Sequence, residues 1–480
     1  MTSSQTRIKI PKSSLPLPLK ERNWNGFVLG AVCTTAGIAT WSFVVGGTSA
    51  SYLDAKMGVA AMLAGGLIGQ FLISLATIPP STKFGIETVI STKPQLGSRG
   101  SYLALFMQYC TALGWNCVLM LFFGRSAASI LEILGLISAE AKAGWATGIS
   151  AAGVVLVWLM VSRGANSLQK VGPVVAISIS LMAVWLLVLL LQDYGISEIS
   201  AAEPLAPTSD ELLNYTSVVE LLIVSTWGWW SYMGGMVRMV DSARKAILPS
   251  MLGLGVAWVL VAAISLYSTL VTGEPDPAVW APMIAGEVGG IAVLLFIAFA
   301  NLGSTLVGAF VASLGVSQIP KVGGTLSWRV ISGLVLLPML LVSLFFAEPF
   351  SNNVDQFMAF IGLMIAPMVG IQIADWHVLR RGKTLRVSGL YQQSQASCYW
   401  YLGGFNPAGI IALALGSVTY QLLLDPVTYE PRSSLFKYVT ASLPALVVAA
   451  VVYSLLSMLW RGRLNPARAD TQLDETPRSG

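Results

Sequence analysis

The chain has 480 residues, of which 55% are apolar and only 11% are charged, and its mean hydropathy is +0.71. This composition excludes an ordinary soluble domain and predicts an all-α integral membrane protein. The net charge of +5 follows from the basic loops described below, so it requires no nucleic-acid partner.

Twelve stretches are long and apolar enough to be membrane spans, since a helix needs about 20 apolar residues to cross a bilayer. The predicted spans, numbered 1 to 12 in order, are 27–50, 57–80, 101–124, 144–162, 171–192, 216–237, 247–272, 288–316, 328–346, 354–379, 405–424 and 437–460.

Lysine and arginine are unevenly distributed between the loops. If the N-terminus is cytoplasmic, the inner segments hold 23 of the 28 basic residues. Those left in outer loops are Lys56, Arg125, Lys142, Arg432 and Lys437. Because short cytoplasmic loops are enriched in Lys and Arg, we predict a multi-pass protein of the cell membrane, surrounded by the lipid bilayer, with both termini cytoplasmic.

The two ends of the chain are polar. Residues 1–23 lack the pattern of a cleaved signal and are predicted to form a mobile cytoplasmic tail, as are residues 461–480. The four cysteines show no metal-binding spacing and are interpreted as packing residues rather than disulfides. They are Cys33, Cys110, Cys117 and Cys398.

Span 1 is poorly suited to a continuous helix. Gly37 lies near its middle, Gly46 and Gly47 follow, and residues 34–42 include several hydroxyls. Unwound backbone at membrane depth frees carbonyls and amides to bind a solute or ion. The same glycines could instead let neighbouring helices pack closely, and this segment alone supports both interpretations.

Span 6 repeats the irregularity, with Gly228 near its middle and the pair 234–235 further on. Glycine-interrupted spans five apart predict an inverted repeat of five helices each, with a site between the interrupted pair. We place the repeats at 24–192 and 216–379, and we place spans 11 and 12, residues 405–460, outside them.

Spans 3 and 8 contain further candidate site residues. Trp115 lies mid-span, where it either packs in the core or stacks on a flat ligand. Asn301, Ser304 and Thr305 share one face of span 8. Hydroxyls and a carbonyl are suitable ligands for a small cation, although Ser and Thr often bond back to their own helix. The interrupted spans favour the ion site.

Ionisable groups within the spans are few. Asp375 lies within two turns of Arg380 and is predicted to form a structural ion pair, and His377 lies too near the membrane surface to be assumed a proton relay. Glu220 lies at the outer start of span 6. This pattern does not favour a carboxylate-driven proton pump, and no nucleophile–base or metal-ligand set indicates an enzyme.

Four segments resemble those of a known family, in the same order and over nearly the whole length from Trp24 to span 12. They are LGSRGSYL (96–103), NLGST (301–305), IAPMVGIQIADWHVLRRGK (365–383) and GFNPAGIIALALG (404–416). The chain resembles the nucleobase–cation symporters of the cytosine permease and hydantoin transporter type, within the amino acid–polyamine–organocation superfamily.

The resemblance implies a five-plus-five inverted-repeat fold with interrupted helices 1 and 6, two extra C-terminal helices, and alternating access to a mid-membrane site. It also implies a sodium site. Its ligands would be the carbonyls of Thr35, Ile38 and Asn301 and the hydroxyls of Ser304 and Thr305.

The resemblance further implies substrate contacts from spans 1, 3 and 6. The corresponding positions are Ala39, Thr40, Trp115, Ser225 and Thr226, and the stacking residue would be Trp115.

The chain departs from the family pattern at positions that would contact the substrate. An aromatic residue is replaced by Thr226, and Trp227 and Trp229 are its neighbours. Adjacent helical residues point about 100° apart, so Trp227 replaces that aromatic only with local unwinding. We predict that both indoles help to orient the substrate ring. Amides that some members have in spans 3 and 8 are replaced by Leu119 and Leu306. A less polar or differently substituted ring is therefore expected.

These observations predict a symporter that imports a nucleobase or related flat nitrogen heterocycle with Na⁺. We expect no organic cofactor, no enzymatic activity and no obligate protein partner. The alternatives are H⁺ coupling on the same fold, with a vitamin-like heterocycle or an amino acid as solute, and a solute sensor that binds without transporting.

Overall fold

The computed structural model describes residues 15–38, 40–163, 172–317, 319–383, 385–392 and 395–460. Within these ranges the chain is helical and contains only two isolated β-bridges. The helices are α1 (Gly26–Gly37), α2 (Trp41–Ala50), α3 (Ala55–Phe84), α4 (Thr88–Ser91), α5 (Lys93–Leu96), α6 (Ser101–Ile133), α7 (Lys142–Val161), α8 (Gly172–Asp193), α9 (Gly195–Ala201), α10 (Glu211–Trp227), α11 (Trp230–Val237), α12 (Ala243–Gly255), α13 (Val259–Thr272), α14 (Pro277–Ser317), α15 (Pro320–Gly323), α16 (Trp328–Phe345), α17 (Ala347–Ser351), α18 (Val354–Ile373), α19 (Val387–Tyr391), α20 (Pro407–Leu423), α21 (Phe436–Val439) and α22 (Ser442–Leu459).

Each of the twelve predicted spans coincides with a helix or a pair of consecutive helices. In the described part of the chain, eight helices are long and apolar enough to cross a membrane, or ten if each of two bent pairs is one span. One bent pair is α1–α2, whose axes differ by 56°, and the other is the end of α8 with α9, at 89°.

The helices that form the centre of the molecule pack closely. α1 lies against α12, α2 against α13, α3 against α10, and α6 runs along α14. Glycine permits this approach: a Cβ on Gly65 of α3 would lie 2.6 Å from the Cβ of Leu222 in α10. Small residues are common where membrane helices meet. A separate group of α18, α20 and α22 packs beside this centre.

The predicted ion pair of Asp375 is confirmed, and it belongs to a larger buried network. Its Oδ2 atom lies 2.6 Å from Nε of Arg380 and accepts a hydrogen bond of 2.7 Å from Nε2 of Gln95. Its Oδ1 atom accepts a 3.0 Å bond from the hydroxyl of Tyr453. Asp375 thus joins the ends of α18 and α22 to α5, which supports a structural role.

The described part of the N-terminal tail is hydrogen-bonded within itself and to the end of α3. The amide of Leu17 donates to the carbonyl of Gly85 at 2.9 Å, and Nε of Arg22 donates to the carbonyl of Leu17 at 2.9 Å. Residues 1–14 and 461–480 lie outside the described ranges. All four cysteines are free thiols, as predicted.

Candidate functional site

A cavity of about 510 Å³ lies between the two interrupted helix pairs, α1–α2 and α10–α11, with α6 and α14 forming its other walls. This volume is within the range of small-molecule sites. Three indoles line it, and so do Glu87 and Arg238, whose charged groups are 3.5 Å apart. The cavity can therefore hold a small, flat molecule against aromatic walls.

The first interruption occurs where α1 and α12 come into backbone contact. A Cβ on Gly37 would lie only 2.3 Å from the carbonyl oxygen of Gly253, so this approach requires glycine. Ile38 leaves the helical conformation, with φ −79° and ψ 76°, and α2 begins at Trp41. The chain therefore changes direction at the cavity wall.

The second interruption makes room for an aromatic ring. α10 ends at Trp227 and α11 begins at Trp230, leaving Gly228 and Trp229 in a turn. A Cβ on Gly228 would lie 2.7 Å from Nε1 of Trp115 in α6. Glycine at this position thus allows the indole of Trp115 to lie against the break.

Three tryptophans from separate parts of the chain meet at the cavity. The ring of Trp41 is 5.8 Å from that of Trp115 and 6.3 Å from that of Trp229, and both pairs are edge-to-face, at 68° and 66°. Tyr232 extends the group, 5.8 Å from Trp229. Because indole rings have extended π faces, this arrangement suits a planar ligand.

A polar cluster lies where α14 faces the first interruption. The hydroxyl of Thr40 donates to the side-chain carbonyl of Asn301, and both residues are buried. Thr305 is fully buried and its hydroxyl has no partner in the described part of the chain. Ser304 lines the cavity. An unpaired buried hydroxyl is costly, so this cluster is suited to a cation.

Residues 16–439 match the family described as permeases for cytosine and purines, uracil, thiamine and allantoin. The match covers most of the chain. The protein belongs to this permease family.

Solved structures of similar fold are also transporters. The inward-facing conformation of Mhp1 has a TM-score of 0.78 at 16% identity, covering 95% of this chain and 96% of Mhp1. A second Mhp1 structure is described as a nucleobase-cation-symport-1 family transporter in a closed conformation with bromovinylhydantoin bound. It has a TM-score of 0.75 at 16% identity, covering 94% of this chain and 96% of that one.

A more distant structure, the substrate-bound outward-open state of a Na⁺-coupled sialic acid symporter, has a TM-score of 0.57 at 12% identity, with 91% of each chain covered. No curated protein matches the chain. The predicted fold class and family resemblance are confirmed, and the permease is a membrane transporter rather than an enzyme.

The structure places several predicted residues of the permease around the cavity and others away from it. Those that line it are Thr35, Ile38, Trp115, Ser225, Trp229 and Ser304. Thr40, Asn301 and Thr305 lie behind this surface in the polar cluster. Ala39 lies outside the described residues.

Two predicted contacts in span 6 face another helix. Trp227 is fully buried, and its Nε1 donates to the carbonyl of Gly69 in α3 at 3.1 Å. Thr226 is also fully buried; its hydroxyl donates to the carbonyl of Leu222 in its own helix at 2.8 Å, and its Cβ would lie 3.1 Å from a Cβ on Gly69 of α3. Neither side chain lines the cavity, whereas Trp229, beyond the break, does.

Some cavity residues were missed from the sequence. Trp41, Asn116 and Tyr232 line the cavity, as does Gln108. Gln108 lies seven residues from Trp115, which is the spacing of one helix face, so this amide could have been identified once Trp115 was chosen. Asn116 is adjacent to Trp115 and points about 100° away from it, so this spacing could not have identified it.

Proposed function

We propose that this permease is a symporter that imports a nucleobase or related flat nitrogen heterocycle together with Na⁺ by alternating access. The observation that supports it best is the pairing of an indole-lined cavity with a polar cluster at the first helix interruption. The cavity would hold the heterocycle, with Trp115 and Trp229 against its faces. The cluster would hold the ion beside it.

The hydroxyls of Ser304 and Thr305 in α14 support the ion site because they do not bond back to their own helix. Serine and threonine in membrane helices commonly donate to the carbonyl four residues earlier. Ser313, in the same helix, does so to Ala309 at 2.7 Å. Ser304 and Thr305 make no such bond within the described residues, and the hydroxyl of Thr305 is buried there without a partner. Both hydroxyl oxygens would therefore be available to a cation, together with the carbonyls of span 1.

Coupling would follow from the position of this cluster. Thr40 lies at the start of α2 and contacts Asn301 of α14, so an ion bound here would join the interrupted span 1 to α14. The same interruption lines the substrate cavity through Ile38. If ion and substrate both order this segment, each raises the affinity for the other.

Proton coupling through a carboxylate has less support. Among the described residues, the acid that lines the cavity is Glu87, and it is paired with Arg238. A proton-driven mechanism would give uptake that depends on the pH gradient and is unaffected by sodium.

Uptake into proteoliposomes tests the proposal. We would use cytosine, uracil, hypoxanthine, allantoin, hydantoin and thiamine, each with an inward Na⁺ gradient or with choline in its place. Accumulation of at least one compound with Na⁺ only is expected. Equal uptake in choline would contradict sodium coupling, and binding without accumulation would indicate a sensor.

The ion site is tested by Ser304→Ala combined with Thr305→Ala, with Ser313→Ala as the matched control. The double variant should need about tenfold more Na⁺ for half-maximal uptake, because losing ligands to an ion removes more than about 1.4 kcal/mol of binding. Ser313 already has its own partner, so its variant should behave as wild type. An unchanged Na⁺ dependence in the double variant would exclude these hydroxyls as ligands.

A further inference from the structure

The side chain of Asn116 is a buried amide that lacks a hydrogen-bonding partner. It lies in α6, is only 4% exposed, and lines the cavity. Within the described residues, its amide makes no hydrogen bond. The large majority of buried side-chain polar groups in proteins are hydrogen-bonded, so an unpaired amide at a cavity wall indicates a group that pairs with a ligand.

The opposite helix leaves room for this amide. A Cβ on Gly308 of α14 would lie 2.3 Å from Oδ1 and 2.6 Å from Nδ2 of Asn116. Any other residue at 308 would displace the side chain. The amide is therefore held between α6 and α14 by close contact, without a hydrogen bond that would have to be broken before a ligand could bind.

The surroundings of Asn116 explain which part of a ligand it would contact. Trp115, next to it in α6, contributes an aromatic face, whereas the nearby cavity residues Leu119 and Leu306 are apolar. Two other polar groups of the cavity have partners: Ser225 donates to Leu221 at 2.6 Å, and Gln108 donates to the carbonyl of Ser231 at 3.2 Å. Asn116 is thus placed to meet the polar edge of a ring whose face lies on an indole.

We propose that Asn116 hydrogen-bonds to the edge of the transported heterocycle and determines which rings the permease accepts. This inference rests on the proposed function. A carboxamide has both a donor and an acceptor, so it can form two parallel bonds with a ring that has adjacent donor and acceptor groups. That chemistry is found in lactam rings, with C=O beside N–H, and in aminopyrimidines.

The test compares purified wild-type protein with Asn116→Leu and Asn116→Asp. Binding is measured by quenching of tryptophan fluorescence with cytosine, uracil, 3-methyluracil, hypoxanthine, allantoin and thiamine in Na⁺ buffer. Leucine keeps the branching of asparagine at Cγ but removes both polar groups, and aspartate preserves the shape but removes the donor.

Thr111→Val is the matched control. Thr111 is in the same helix, is 1% exposed and has an unpaired hydroxyl within the described residues, yet it does not line the cavity. This variant removes an unpaired buried polar group while leaving the proposed contact intact.

Every compound that binds the wild type should bind at least about tenfold more weakly to Asn116→Leu, the loss expected for hydrogen bonds to a ligand. Thr111→Val should bind as wild type does. Asn116→Asp should also weaken binding, and this variant tests the proposal if Asn116→Leu fails to fold.

The outcomes separate two kinds of failure. If the wild type binds none of the compounds, the proposed function is wrong and the inference fails with it. If the wild type binds but both Asn116 variants bind within twofold of it, the inference alone is wrong. An equal loss in Thr111→Val would also overturn it, because the effect would then belong to the helix and not to the contact.

Discussion

Gly37 and Gly253 are in backbone contact, with the carbonyl oxygen of Gly253 occupying the place that a side chain on Gly37 would need. This contact fixes where α1 meets α12, immediately before the first interruption. In membrane helices, such close approach increases packing and depends on the absence of a Cβ. The position of the interruption is therefore determined by packing as well as by weak local helix propensity.

Gly37→Ala should lower stability, because its Cβ would lie 2.3 Å from a backbone atom that has little freedom to move. Overpacking of this kind costs typically about 1–3 kcal/mol. We expect a lower thermal unfolding midpoint in detergent and reduced uptake. Gly148→Ala is the control, since nothing lies within 4 Å of a Cβ there. A Gly37→Ala midpoint equal to that of the control would refute this explanation.

The second prediction concerns Glu220, to which we assign a structural role. It is fully buried in α10, and its Oε2 accepts hydrogen bonds from the amides of Ala441 and Ser442, each at 3.2 Å, and from the hydroxyl of Ser442 at 2.8 Å. It does not line the cavity. The carboxyl group thus joins α10 to the first turn of α22, where helix N-termini favour negative charge.

We expect Glu220→Leu to lower the thermal midpoint strongly and Glu220→Gln to lower it less, because glutamine keeps an acceptor oxygen. Hydrogen bonds to a charged group contribute about 1.5–3 kcal/mol. Folded Glu220→Gln should keep the wild-type Na⁺ dependence of uptake. A large change in that dependence, without a stability change, would instead show that Glu220 takes part in coupling.

Lys93 should make stability depend on pH. It lies in α5, in the predicted inner loop between spans 2 and 3, where its ammonium donates to the carbonyl of Leu390. Burial lowers the pKa of Lys93 from 10.5 to about 8. Between these values the unfolded chain holds a proton that the folded chain does not, so the free energy of unfolding rises with pH over this window.

Lys93→Met removes this contribution. The free energy of unfolding of the wild type, relative to that of the variant, should rise as the pH increases from about 8 to about 10.5. The rise is about 1.4 kcal/mol per pH unit, which gives a total of up to about 3 kcal/mol. Below pH 8 the difference should be constant. Thermal unfolding of both proteins across this range measures it, and parallel curves throughout would show that Lys93 is not responsible.

The interruptions could be predicted from the sequence because they depend on local residues. Gly37 and Gly228 lie near the middle of spans 1 and 6, and both helices end next to them. The direction of side chains beyond a break could not be predicted. Trp227 is the last residue of α10 and points to Gly69, whereas Trp229 lies in the turn and lines the cavity.

Asn116 was missed for a different reason. Its environment depends on Gly308, which is distant in sequence and contacts it only because α6 runs along α14. A single sequence contains no signal for that contact. The hydroxyls of α14 were predictable as a pattern, but whether they bond back to the helix or stay unpaired requires coordinates.

Gly308→Ala tests the contact between α14 and the amide of Asn116 by changing the residue on α14. Its Cβ would lie 2.3 Å from Oδ1 of Asn116 and would move the amide from its position. We expect heterocycle affinity to fall about tenfold or more, as in Asn116→Leu. Fluorescence quenching measures it, with Gly148→Ala as the comparison, since nothing lies within 4 Å of a Cβ there and the residue does not line the cavity.

The two positions should be coupled. Once Asn116→Ala has removed the amide, a methyl group at 308 has nothing to displace, so the double variant should bind no more weakly than Asn116→Ala alone. Residues in contact commonly show such non-additive effects. Fully additive losses would mean that Gly308→Ala acts through the packing of α14 and not through Asn116.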